Sequence, residues 1–196
     1  MVHLSSPPGY GRRSVGEKTL ISHDLNADAI ALRKYLESRV RAFDRELNDN
    51  PGPSDRDIAL IQIGFEHEQS GYVAIVFDTR ENSESDGEWT MHIEGENNWI
   101  EFPRWAEITK EAYEGQTLQI NRLDGSSVII DDLESFDSYE YAEIFGAVIK
   151  KVVLDARDEG VFASLPLTPN CKICIEMING LFVWPDTEDG VEPATK

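Results

Sequence analysis

The stretch Ile58 to Thr79, IALIQIGFEHEQSGYVAIVFDT, does most to narrow what this chain can fold into. Side chains alternate faces along a strand, so Ile61, Ile63 and Phe65 share one side, as do Val73, Ile75 and Phe77 on a returning strand. Burying both sets together requires a β-hairpin. A three-residue loop, Gln69-Ser70-Gly71, with Gly71 in the left-handed conformation of a bulged turn, predicts Phe65 opposite Ile75 and Ile63 opposite Phe77. The other side carries Gln62, Gly64, Glu66, Glu68, Tyr72 and Ala74. That is the pattern of an antiparallel sheet with one packed and one wetter face.

Around this hairpin the chain reads in order. From Asn26, a residue type that caps helices, Ala27 to Leu47 places Leu32, Leu36, Val40, Phe43 and Leu47 at helical spacing. The cluster NDNPGPSD breaks that helix and delivers the chain to the hairpin. Beyond the polar loop RENSESDGE, Trp89 to Glu94 alternates as a third strand. Pro103 to Glu114 predicts a short helix closed by Gly115. Gln116 to Leu123 and Ser126 to Asp131 flank Asp124-Gly125, a two-residue hairpin signal.

The segment from Asp137 to Glu159 reads as the longest helix. Tyr141, Phe145, Val148, Val152 and Ala156 form one stripe, widened by Ile149 and Val153, with acids early and basic residues late as the helix dipole favours. A last hairpin turns at Asn179-Gly180 and sets Met177 opposite Phe182 and Ile175 opposite Trp184. Hairpins without an alternating strand-helix rhythm predict an α+β fold: a single antiparallel sheet built from hairpins, with two main helices packed on one face. The expected organisation is a flexible N-terminal arm (1–22), one domain (23–185) and a polar C-terminal tail (186–196). A chain of 196 residues is long enough to bury a sizeable core in one domain.

The net charge of −19 is unevenly spread. Residues 1–45 hold 8 Lys/Arg against 5 Asp/Glu, leaving 10 against 32 for the remainder. Such a field repels nucleic acid and anionic membrane and steers basic proteins toward the surface. No run of about 18 apolar residues is present, so no membrane helix is expected. The N-terminal arginines have no apolar stretch behind them, so a cytoplasmic location is expected.

Two acidic stretches suit recognition of a basic partner. Asp131, Asp132, Glu134, Asp137, Glu140 and Glu143 flank Tyr139, and Glu81, Glu84, Asp86 and Glu88 precede Trp89. Aromatic rings there would supply contact area and carboxylates charge complementarity. The bland alternative is helix-start capping and a solvated loop. His67, His92 and Glu94 offer nitrogen and oxygen ligands if their strands meet, which opens a metal site as the alternative chemistry. Cys171 and Cys174 form a CxxC, but residues three apart on a strand point to opposite faces, so packed cysteines are expected. No Gly-rich phosphate loop, nucleophile elbow or HExxH occurs, and no cofactor is expected.

The long first helix, GYVAIVFDTREN, RWA, LDARDEGVFASLP and CKICIEMINGLFVWP, in that order, resemble a family of bacterial domains of unknown function associated with toxin-immunity loci. The resemblance runs over nearly the whole chain from about residue 27 and brings no catalytic residues. It implies an acidic protein-binding module, an immunity-type inhibitor of a basic toxin. Two other classes stand beside it. One is a metal-dependent hydrolase or small-ligand enzyme using His67, His92 and Glu94. The other is a structural or regulatory domain, monomeric or a homodimer paired through an exposed edge strand.

Overall fold

The computed structural model describes residues 19–49, 57–68, 70–78, 99–113, 116–131, 138–178, 180, 182–185 and 192–194. Along the chain they form β1 (Leu20–Asp24), α1 (Leu25–Asp49), β2 (Ile58–Glu66), β3 (Tyr72–Asp78), β4 (Trp99–Glu101), α2 (Pro103–Tyr113), β5 (Thr117–Asn121), β6 (Ser127–Ile130) and α3 (Ser138–Asp158). A 3-10 turn (Val161–Ser164), β7 (Leu167–Met177), β8 (Val183–Trp184) and β9 (Glu192–Pro193) follow.

The fold is α+β, but the single antiparallel sheet expected from the hairpins is replaced by two mixed sheets, and three α-helices accompany them. The smaller sheet has the order β1-β5-β6, with β1 parallel to β5 and β5 antiparallel to β6. The larger runs β4-β3-β2-β7-β8, with β9 also on β7, and its central pair β2 and β7 is parallel. Face alternation is identical in parallel and antiparallel strands, so the apolar pattern of β7 could not show which way its neighbour runs. β1 includes Leu20 to Ser22, a stretch read from sequence as part of an arm. The strand expected over Trp89 to Glu94 lies outside the described residues, and it is β4 that pairs with β3.

The central hairpin keeps the predicted faces in a different register. Phe65 lies opposite Val73, Ile63 opposite Ile75 and Ile61 opposite Phe77. A shift of two residues preserves side-chain parity, so the same six apolar residues are buried. The turn is longer than expected, and the Glu66 carboxylate holds it by accepting from the backbone N–H of Glu68 and of Ser70. The hairpin at Asp124-Gly125 also differs. Arg122 N–H donates to Ser126 O over 2.8 Å, closing a three-residue loop with Gly125 at φ 83°. The last hairpin has the expected pairing of Ile175 with Trp184.

α1 begins two residues earlier than its sequence cap suggested, because Asp24 takes that role: its Oδ1 accepts from the Asn26 N–H at 2.9 Å. These hydrogen bonds from Asn26 hold the Asp24 carboxyl below the usual carboxylate range. Leu32, Leu36, Val40 and Phe43 of α1 and the full predicted stripe of α3 are buried in one core shared with the inner faces of both sheets. α1 packs on α3, α3 on β7, and α2 on β5. Arg33 straps α1 to the end of α3, its Nε and Nη2 each 2.8 Å from a carboxylate oxygen, of Glu37 and Glu159 respectively. Among the described residues, no helix is long and apolar enough to cross a membrane.

Candidate functional site

On a buried-stripe helix the residues opposite the stripe face outward. On α3 this outer ridge is Tyr139, Glu143, Ala147, Lys151 and Asp155, four residues apart and all exposed. Tyr139 is 53% exposed, an unusual position for so large a ring. Glu140 beside it and Asp131 at the end of β6 are exposed as well. The structure therefore places three of the sequence-predicted partner-binding residues at the surface, with Glu143 of the same acidic stretch also exposed. Asp132, Glu134, Asp137, Glu81, Glu84, Asp86 and Glu88 lie outside the described residues.

Beside the ridge runs a cleft that the sequence did not disclose. One part, of about 350 Å³, has an apolar floor of Leu25, Ile144 and Val148 and a charged rim of Arg122, Asp124, Glu143 and Lys151. It continues toward α1 as a shallower groove reaching Arg33, Lys34 and Glu37. Leu123 lies on both parts, held there by the three-residue turn. An apolar residue directly before a turn pair was the available signal, since turn positions ordinarily carry polar residues. Lys151 is paired with Asp155 at 2.8 Å, so the rim is balanced in charge along α3.

The second face of the large sheet presents another pattern. Trp99, Ala74, Gly64, Glu176 and Val183 form one cross-strand row over five strands. Trp99 and Val183 at its ends are exposed. Burial pushes the Glu176 carboxyl up, and burial together with the Glu66 carboxylate pushes the Tyr72 hydroxyl up.

His67 is fully buried against Tyr141 and Phe145 of α3, the three ring centroids lying 5.8 to 6.2 Å from one another. His92 and Glu94, its proposed co-ligands, lie outside the described residues. Among the described residues no group of three or more His, Cys, Asp or Glu side chains is placed to hold a metal ion. The cysteines sit on one uninterrupted strand, free and buried on opposite faces. Burial pushes the Cys171 thiol up to about 11, and burial with the nearby Glu176 pushes Cys174 up to about 12. Neither carries the thiolate that redox or nucleophilic chemistry requires near neutral pH.

One polar constellation escaped the sequence reading. His23 of β1 and Trp105 of α2 both hydrogen-bond the Asp28 Oδ2 of α1, at 2.9 Å from His23 Nε2 and 2.8 Å from Trp105 Nε1. Trp105 lies 77 residues from Asp28, a separation with no local signal. The indole also stacks between Phe102 and Phe145 at centroid distances of 4.6 and 4.4 Å. The carboxylate holds the Nε2 edge of the histidine and binds three elements together. No family model, no curated protein and no solved structure matches the chain.

Proposed function

We propose that this protein is an acidic docking module that captures a basic protein surface, in the manner of an immunity-type inhibitor that covers a basic toxin. The observation that carries the reading is the exposed Tyr139 on α3, with the exposed carboxylates of Glu140 and Glu143 beside it and the apolar cleft alongside. A ring of this kind supplies contact area at little entropic cost, and surrounding carboxylates steer a cationic partner into place. Two acidic side chains and a net charge of −19 make fast, salt-sensitive association the expected kinetic signature.

The test is direct binding between the purified chain and the basic proteins encoded beside its gene, at low and high salt. Complex formation with an association rate that falls as salt rises, and that is lost in Glu140→Lys/Glu143→Lys, supports the reading. Binding indifferent to salt and to the double reversal overturns it.

The cleft favours a second reading, capture of a small amphipathic ligand on the Leu25, Ile144 and Val148 floor. Ala147→Trp at its edge would block such a ligand.

A further inference from the structure

His67 follows the last residue of β2, and its ring is 0% exposed. Its centroid lies 6.0 Å from that of Tyr141 and 5.8 Å from that of Phe145. Among the described residues neither Nδ1 nor Nε2 has a hydrogen-bond partner. A neutral imidazole always carries one N–H, so even the uncharged ring pays a desolvation penalty here. Such an unsatisfied buried group calls for a physical explanation.

The surroundings supply one. From the turn, the Glu68 carboxylate reaches 3.9 Å from Nε2, too far for a hydrogen bond, and its own side chain is 49% exposed. From β2, Glu66 also acts on the ring, but its carboxylate is engaged with the turn amides of Glu68 and Ser70. From α3, the ring is met by Phe145 and by Tyr141, whose hydroxyl is a titratable group on that side. A second proton on His67 would thus place two N–H donors and a full charge against aromatic faces. Outside the pocket the same charge would meet water, Glu68 and Glu66.

We propose that His67 is an acid-sensitive latch: protonation expels its imidazole from its packing against Tyr141 and Phe145 and frees the turn between β2 and β3 from α3. The direction of titration agrees. Burial pushes the imidazole below its ordinary value of 6.5, and Glu68 and Glu66 restore only part of that. The unfolded chain therefore takes up this proton first as pH falls. The stability contributed by neutral His67 is full above 6.5, declines as pH drops through that value and levels off below the folded value. The decline is at most about tenfold in the folding constant per pH unit. Tyr141 stands in the first turns of α3, close to Tyr139 and Glu140, so acidification would also loosen the docking surface. That last consequence rests on the proposed function, whereas the latch does not.

The experiment is a titration of the His67 ring by side-chain NMR in the full chain from pH 7.5 to 4.5, with amide hydrogen exchange at Glu68, Ser70 and Tyr141. A midpoint below 6.5, with exchange at these amides rising in step, is expected. Glu68→Gln should move the midpoint further down, and His67→Phe should remove its share of the pH dependence of the folding constant, several-fold between pH 7.5 and 5.5. A midpoint at or above 6.5, or exchange that ignores the titration, overturns the latch, as does unchanged pH dependence in His67→Phe. Should His67→Phe fail to fold, the wild-type titration and Glu68→Gln decide. None of these measurements uses a partner, so failure of docking and failure of the latch are separate results.

Discussion

A Cβ placed on Gly146 would lie 2.5 Å from the ring of Phe182, so α3 admits that ring only because a side chain is missing. Phe182 cannot easily step aside, since its other contacts include Phe65, edge-on at 5.7 Å. Gly146→Ala would gain about 1 kcal/mol of helix propensity but incur overpacking of roughly 1–3 kcal/mol. A net loss of about 1 kcal/mol is expected in urea unfolding. A variant more stable than the parent would show that this contact is slack.

Gly71 and Gly125 both lie at positive φ, 62° and 83°, but only Gly71 is also crowded. An added Cβ would sit 2.2 Å from Phe102 O, whereas Gly125 has open space around it. Gly125→Ala should cost about 1 kcal/mol for its backbone alone. Gly71→Ala should lose at least about 2 kcal/mol more, because Gly71 O also accepts from Phe102 N–H and the two chains cannot separate without breaking that bond. Equal losses would refute the crowding argument.

Asp28→Ala removes the acceptor used by both Trp105 and His23 and leaves a buried indole N–H unpaired. A loss of about 2–3 kcal/mol is expected. Asp28→Asn retains a carbonyl for the indole and should lose about half as much. The indole N–H resonance of Trp105 is the local readout, moving in Asp28→Ala and staying near its original position in Asp28→Asn.

The buried thiols predict alkaline weakness. With the folded values raised from 9.0 to about 11 and about 12, the unfolded chain gives up these protons first. Their contribution to stability is full below pH 9 and is lost as pH rises toward 11 and 12. Cys171→Ala/Cys174→Ala should flatten the fall in unfolding free energy between pH 8.5 and 10. In the folded parent at pH 8, roughly one thiol in a thousand or fewer is ionised, so a thiol reagent should react slowly until denaturant is added.

Charge reversal on and beside the exposed ridge separates stability from docking. Glu143→Lys should change unfolding free energy by no more than about 0.5 kcal/mol, because its side chain is on the surface. Glu140→Lys should lose about 0.3–1 kcal/mol, since Glu140 stands in the first turn of α3, where the helix dipole favours an acid. A larger loss from either change would assign the residue a structural role.

What the amino-acid order determined by itself is which side of each element faces inward. Parity in Ile61, Ile63, Phe65, Val73, Ile75 and Phe77, the α1 stripe from Leu32 to Phe43 and the stripe of α3 depend only on backbone periods, and the core contains them as expected. Glycine-bearing turns were legible for the same local reason, although Gly125 sits in a loop one residue longer than its Asp-Gly pair suggested. Of the candidate site, exposed Tyr139, Glu140 and Asp131 were legible as polar surface, but the cleft beside the outer ridge of α3 was not, because its walls come from α1, α3 and the β5–β6 turn.

Only the tertiary structure decided direction and partnership. β2 lies parallel to β7 and β1 parallel to β5, pairings between strands far apart in sequence that leave no local trace. The same holds for Asp28 with Trp105 and for the enclosure of His67 by α3. Local periodicity specifies a face, whereas the identity of what covers that face is set by how all the faces are satisfied at once in a shared core.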